Sequence, residues 1–171
     1  MILGGAWTAW SATQSVGIRA LFEIRKALEP NIAAWAALRA NEDDIALLFD
    51  IVARVLPEGD RNPTRADPPL ELAAWGDQAF HDQLARAAHN PVAVRLLQNL
   101  LDLLEDSRRR SLAIPGRARR SAEDHGRIAR AVAAGDPDAA REAMTVHLAG
   151  VEESILRQAP GSSGWSRDGS P

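Results

Sequence analysis

Three of the chain's four histidines, His81, His125 and His147, share with Asp77 helix faces that are otherwise apolar. An ionisable group directed into a core needs a partner, and one shared cation would serve all four. Asp77 and His81 stand four residues apart, which on a helix sets their Cβ atoms roughly 5 to 6 Å apart on one face. His125 and His147 flank Ala134-Gly135-Asp136-Pro137, where Gly suits a position just past a helix end, Asp an N-cap and Pro a first turn. His125 lies ten residues before Gly135 and His147 eleven after Asp136, so at 1.5 Å per residue both sit roughly 15 to 16 Å from the turn. A tight antiparallel hairpin brings them level.

Imidazole nitrogens with one carboxylate suit a borderline divalent metal: zinc first, with nickel, manganese or iron open. Calcium and magnesium prefer all-oxygen shells. Taken singly, each histidine also reads as a hydrogen-bonded core residue; the joint spacing favours the shared cation. His89 is left out, because it falls about 80° off the His81 face at 100° per residue and sits at a helix end before Asn90-Pro91. The helix dipole accounts for a histidine there.

Arg25 lies at helical spacing with Ile18, Leu21 and Leu28, so its guanidinium faces a core. Its partner is either Glu29, one turn on, or another internal acid, or a bound carboxylate ligand held in bidentate fashion.

The elements that must carry these groups are helical throughout. Ser15 to Gln158 has helical period, with no sustained two-residue alternation of β-branched residues. The expected fold is all-α, an antiparallel bundle of six or seven helices. The pattern predicts helices at 15–29, stopping before Pro30, and at 31–40. A third starts at the N-cap Asn41 and its acids Glu42, Asp43 and Asp44, and carries Ile45, Leu48, Phe49, Val52, Val55 and Leu56. A loop over 57–69 follows, then the Asp77/His81 helix, a leucine-rich helix from Pro91 to about Arg110, and the two hairpin helices. Residues 1–14 form an atypical N-terminal segment, 15–158 the helical domain, and 159–171 a disordered tail rich in Gly, Ser and Pro.

At 171 residues and 46% hydrophobic, the chain can bury a full core as one domain. It contains no cysteine, which rules out disulfides and thiolate metal sites and suits a reducing, cytoplasmic setting. No apolar run approaches a membrane span and no signal peptide is evident. A net charge of -3 gives no global reason to expect nucleic-acid binding. The local exception is Arg108, Arg109, Arg110, Arg117, Arg119 and Arg120, which flank the break Ala113-Ile114-Pro115-Gly116. With no interleaved aromatics for base stacking, this run reads as a solvated corner between helices.

The segment Leu21-Phe22-Glu23-Ile24-Arg25-Lys26-Ala27-Leu28-Glu29-Pro30, then Asp77 with Phe80-His81, Asn90-Pro91, His125, and Gly135-Asp136-Pro137 with Ala139-Ala140 and His147, resembles in order the FCD effector-binding domain of GntR-type bacterial transcription regulators, in the FadR-like subfamily. The resemblance covers roughly Ser15 to Leu156. It implies a helical bundle that binds a divalent metal through Asp77, His81, His125 and His147, a small carboxylate effector near that metal with Arg25 at the matching helix-one arginine, and a homodimer. It also implies DNA binding through an N-terminal winged helix-turn-helix. Met1 to Gln14 shows nothing resembling a recognition helix, so this chain is expected to lack that module.

The first functional reading is therefore a metal-dependent sensor of a small organic acid, not an enzyme. The runner-up is a metalloenzyme acting on a small organic acid, with Glu123 or Asp124 as general base; both are one or two residues from His125 and point to other faces. A third is a structural metal that staples the bundle.

Overall fold

The computed structural model describes residues 4–56 and 66–157, with backbone alone for 4–16 and for 18. The described residues form seven helices: α1 (Gly4–Arg39), α2 (Glu42–Val55), α3 (Leu70–Ala87), α4 (Pro91–Leu103), α5 (Glu105–Leu112), α6 (Arg117–Ala133) and α7 (Pro137–Arg157). The all-α bundle is as the periodicity predicts. One core, built from Ile32, Leu48, Phe80, Leu84, Leu97, Leu101, Ile128, Met144 and Leu148, joins all but α5. None of the described helices is long and apolar enough to cross a membrane.

The α6–α7 hairpin follows the turn chemistry expected of it. Gly135 takes φ 66°, and its N–H donates to Val132 O while that of Asp136 donates to Ala131 O, at 3.0 and 3.1 Å. That is a Schellman ending, and the left-handed residue in it favours glycine. The Asp136 carboxylate then accepts from the N–H groups of Asp138 and Ala139 at 3.1 and 2.9 Å, and so caps α7. At α2, Asn41 and Asp44 form a reciprocal capping box.

The structure corrects three helix boundaries, the first being the start of α1 at Gly4 in place of 15. α1 continues through Pro30 where a stop was expected, so 15–29 and 31–40 are one helix. Pro30 lacks the N–H that would reach Lys26 O, and the Asn31 side-chain amide donates to Ala27 O in the same turn at 2.7 Å. Glu29, Pro30, Ile32, Ala33, Ala34 and Ala36 are buried here, and burial on this scale outweighs one lost bond. The single helix expected from Pro91 to Arg110 is two, broken at Leu104. The Leu104 side chain is buried, and its N–H donates to Leu101 O in a tighter turn at 3.1 Å.

The start of α6 is capped from a distance, since the Asp67 carboxylate accepts from the N–H groups of Gly116 and Arg119 at 2.6 and 3.0 Å. Most of the predicted 57–69 loop, and the whole 159–171 tail, lie outside the described residues; 66–69 is irregular.

Candidate metal centre

Asp77, His81, His125 and His147 converge. Each is buried, and each offers one donor atom such that the four atoms lie within 4.8 Å of one another. α3 supplies the first two from successive turns, and the α6–α7 hairpin supplies the others. Asp77 Oδ1 is 3.9 Å from His81 Nε2 and 3.7 Å from His125 Nε2. A tetrahedral shell with bonds of about 2.0 to 2.2 Å has donor edges of roughly 3.3 to 3.6 Å, so a small inward movement would close it. The Nε2 atoms of His81, His125 and His147 are buried with no hydrogen-bond partner. Three such nitrogens are a large uncompensated cost unless something meets them. The donor set and its unpaired nitrogens thus fit a divalent metal.

Carboxylates stand behind two of the rings. His147 Nδ1 is 3.3 Å from Asp124 Oδ2. His81 Nδ1 is 2.8 Å from Glu29 Oε2, a close contact lying off ideal hydrogen-bond direction. Both leave Nε2 turned toward the cluster, the arrangement by which a carboxylate fixes ring orientation and raises ligand basicity. Asp124 itself is 4% exposed and is also engaged by Arg127. It orients a ring instead of standing free as a general base.

Electrostatics favour neutral imidazoles at His125 and His147 and a charged Asp77. Burial, then the neighbouring His147 and His81, push the His125 imidazole well below its usual value. Burial likewise lowers His147, against the opposing bond to Asp124. Burial would raise the Asp77 carboxyl, but Arg108 and the three histidines together hold it well below the ordinary range. Neutral imidazole and ionised carboxylate are the forms that bind metal.

Arg25 is 1% exposed and paired with Glu29, through Nε at 2.5 Å and Nη2 at 3.3 Å. The internal partner weighed for it is thus present, and it also lines a small cavity beside Asp77 and His147. The arginine run is not a solvated corner as expected: Arg108, Arg117 and Arg119 are buried. Arg108 Nε and Nη2 donate to Asp77 Oδ2 at 2.7 and 2.5 Å, and Nη1 donates to Gln78. His89 stands apart, with φ 49° and Nε2 2.9 Å from Asp44 Oδ2.

From sequence, Glu29 is named only as a partner for Arg25, Asp124 only as a general base of the enzyme reading, and Arg108 only as part of a solvated corner. One signal for Asp124 was available: Arg117, Ser121 and Asp124 recur at helical spacing on the face that continues to the core residue Ile128.

Comparison with known proteins agrees with this architecture. The FCD domain model matches residues 20–150, and the chain belongs to this family. Among its relatives are the "Putative L-lactate dehydrogenase operon regulatory protein" of Escherichia coli (strain K12), 31% identical over 144 residues, covering 80% of this chain and 51% of the relative. The "HTH-type transcriptional regulator LutR" of Bacillus subtilis (strain 168) is 33% identical over 143 residues, covering 81% and 62%. A solved structure, "Streptococcus agalactiae GntR", superposes with a TM-score of 0.56 at 26% identity, over 89% of this chain and 62% of that one. The chain thus spans about half to three-fifths of the length of these proteins.

Proposed function

We propose that this chain is the sensing part of a GntR-type transcription regulator, binding a divalent metal through Asp77, His81, His125 and His147 and a small carboxylate effector beside it. The observation that carries the reading is the meeting of four buried donors, three of them imidazole Nε2 atoms without partners. Zinc is the first metal to expect, with nickel, manganese or iron as alternatives. When bound, such a metal supplies a Lewis acid that holds an acid's oxygen atoms. The chain's own part is to orient the rings through Asp124 and Glu29, and to present cationic groups, including Arg25, on the wall of the same cavity.

The Escherichia coli relative is named for an L-lactate dehydrogenase operon, which makes L-lactate the first acid to try. DNA contact belongs in this reading to a helix-turn-helix, the type for which the Bacillus subtilis relative is named, and the setting is cytoplasmic. We also infer a homodimer. Val92, Leu96 and Leu103 are 63%, 53% and 72% exposed in one line along α4, and such a stripe matches the seam of two paired helices.

The test is elemental analysis of the purified chain beside a His125→Ala variant. About one metal per chain, lost in the variant, supports the reading. No metal in the native chain, even after incubation with zinc, nickel and manganese, sinks it.

A further inference from the structure

Two glycines flank donors of the cluster: Gly76 directly precedes Asp77 on α3, and Gly126 directly follows His125 on α6. A glycine inside a helix weakens it relative to alanine, and here each gives room to the same neighbour, α2. A Cβ added at Gly76 would fall inside van der Waals contact with Val55 Cγ2, and 3.5 Å from Val55 Cβ. One added at Gly126 would lie 3.6 Å from Val52 Cγ1. α2 therefore rides directly over the backbone that carries two of the four donors.

Beneath it is a cavity of about 10 Å³, lined by Ile51, Val52 and Val55 of α2 and by Asp77, Ser121 and His125. The rest of the wall is alanine and glycine, and Asp77 is its one charged side chain among the described residues. The cavity on the other face of the cluster has Arg25, Arg108 and Arg117 in its wall. Arg25 and Arg108 are paired with Glu29 and Asp77. Arg117 shares its nearest acid, Asp124 at 3.9 Å, with Arg127 and His147. A dication on that side meets a repelling charge that the α2 side lacks.

The attachment of α2 is uneven. In its first turn, Asp44 meets His89 Nε2 at 2.9 Å and the Gln83 side-chain amide at 3.3 Å. Its C-terminal half meets the cavity through apolar side chains, and Arg54 lies over the Trp75 ring, 5.8 Å from the centroid. Ile51 and Val52 are only partly buried, as in segments that open locally.

We propose that α2 is a cover over the metal cluster, pivoting at its Asp44 end, and that a divalent cation enters and leaves beneath Val52 and Val55. This rests on the metal-binding function proposed above and adds the route of exchange. With α2 seated, the cavity has room for roughly one water molecule, too little for a dication with its hydration shell. Uptake and release therefore wait on the lifting of α2.

The chain has no cysteine, so a disulfide can be introduced without competing thiols. Val55→Cys with Gly76→Cys sets two Cβ atoms 3.5 Å apart, within disulfide range, and bonds α2 to α3. Val55→Ala with Gly76→Ala is a similar change of shape without the bond. Zinc uptake by each metal-free protein is followed with a zinc-sensing dye, and zinc content is measured after equilibration. The oxidised cysteine pair fills at least about tenfold more slowly than the alanine pair, as suppression of a local opening requires, and reaches the same zinc content. Oxidised after loading, it also yields zinc to EDTA more slowly.

Indistinguishable uptake rates in the two pairs overturn the cover and leave the metal site standing. A native chain that takes up no zinc overturns both. If the oxidised pair never fills, the pair oxidised after loading decides: retention against EDTA upholds the cover, and release at the alanine pair's rate overturns it.

Discussion

The Phe80 ring lies flat on the His125 imidazole, with centroids 4.2 Å apart and planes 8° from parallel. Phe80 is fully buried and directly precedes His81, so one turn of α3 supplies both a donor and the platform that fixes a donor from α6. Stacking holds the imidazole plane while His81 and His147 approach at centroid distances of 5.2 and 4.8 Å. Phe80→Ala is expected to cost about 3 to 5 kcal/mol of stability in urea denaturation. Phe80→Leu keeps most of the apolar volume but loses the platform, so its larger effect falls on metal affinity. Equal metal affinity in Phe80→Leu and native protein would remove the platform role.

Asp124 orients His147 through the ring nitrogen that faces away from the cluster. Asp124→Asn is expected to weaken metal binding about 10- to 100-fold, the usual effect of losing such a support, as read by competition with a chelator. An unchanged metal affinity would reduce Asp124 to a partner of Arg127.

Glu29 neutralises Arg25 and touches His81, with both side chains of the ion pair about 1% exposed. Glu29→Leu leaves a buried guanidinium unpaired and is expected to cost about 3 to 5 kcal/mol. Arg25→Met with Glu29→Leu is expected to recover much of that loss in the metal-free chain, since an apolar pair of similar volume needs no counter-charge. A double variant no more stable than the single one would contradict this account.

Metal-free stability should fall in acid in two stages. His125 and His147 have folded values below the ordinary 6.5, so below that pH the unfolded chain binds more protons than the folded one. Their contribution is complete above about 6.5 and is lost as pH falls from there. Glu29 and Asp77 are also lowered in the fold, from ordinary values of 4.5 and 3.8, so a second loss begins near those values. Denaturation midpoints from pH 8 to 4 should be flat at first and then decline; a midpoint that rises between pH 7 and 5 would contradict the burial of neutral imidazoles.

Much of this site is legible in the sequence because it rests on local rules. The i, i+4 pair Asp77 and His81 needs only helical period, and the level placement of His125 and His147 needs only the Gly-Asp-Pro turn between them. What supports the ligands is not local. Arg108 reaches Asp77 across 31 positions and Asp124 reaches His147 across 23, and in sequence both look like ordinary surface charges. The arginine run misleads for the same reason: Arg108 and Arg109 are matched by Asp77 and Glu71, brought from α3. Pro30 and Leu104 misplace helix ends because packing overrides one residue's backbone preference.

The passage of α1 through Pro30 makes it a single rod of 36 residues, about 54 Å long at 1.5 Å per residue. Glu29, beside His81, lies 25 residues from Gly4, the end of α1 remote from the cluster, or about 37 Å along the rod. A tilt of about 5° pivoting there would sweep that end through roughly 3 Å, more than a hydrogen bond survives. A hinge at the proline would leave residues 31–39 behind, whereas the unbroken helix carries them as well. Continuity of this one helix therefore makes residues on both sides of Pro30 tilt as one body about any change at the cluster.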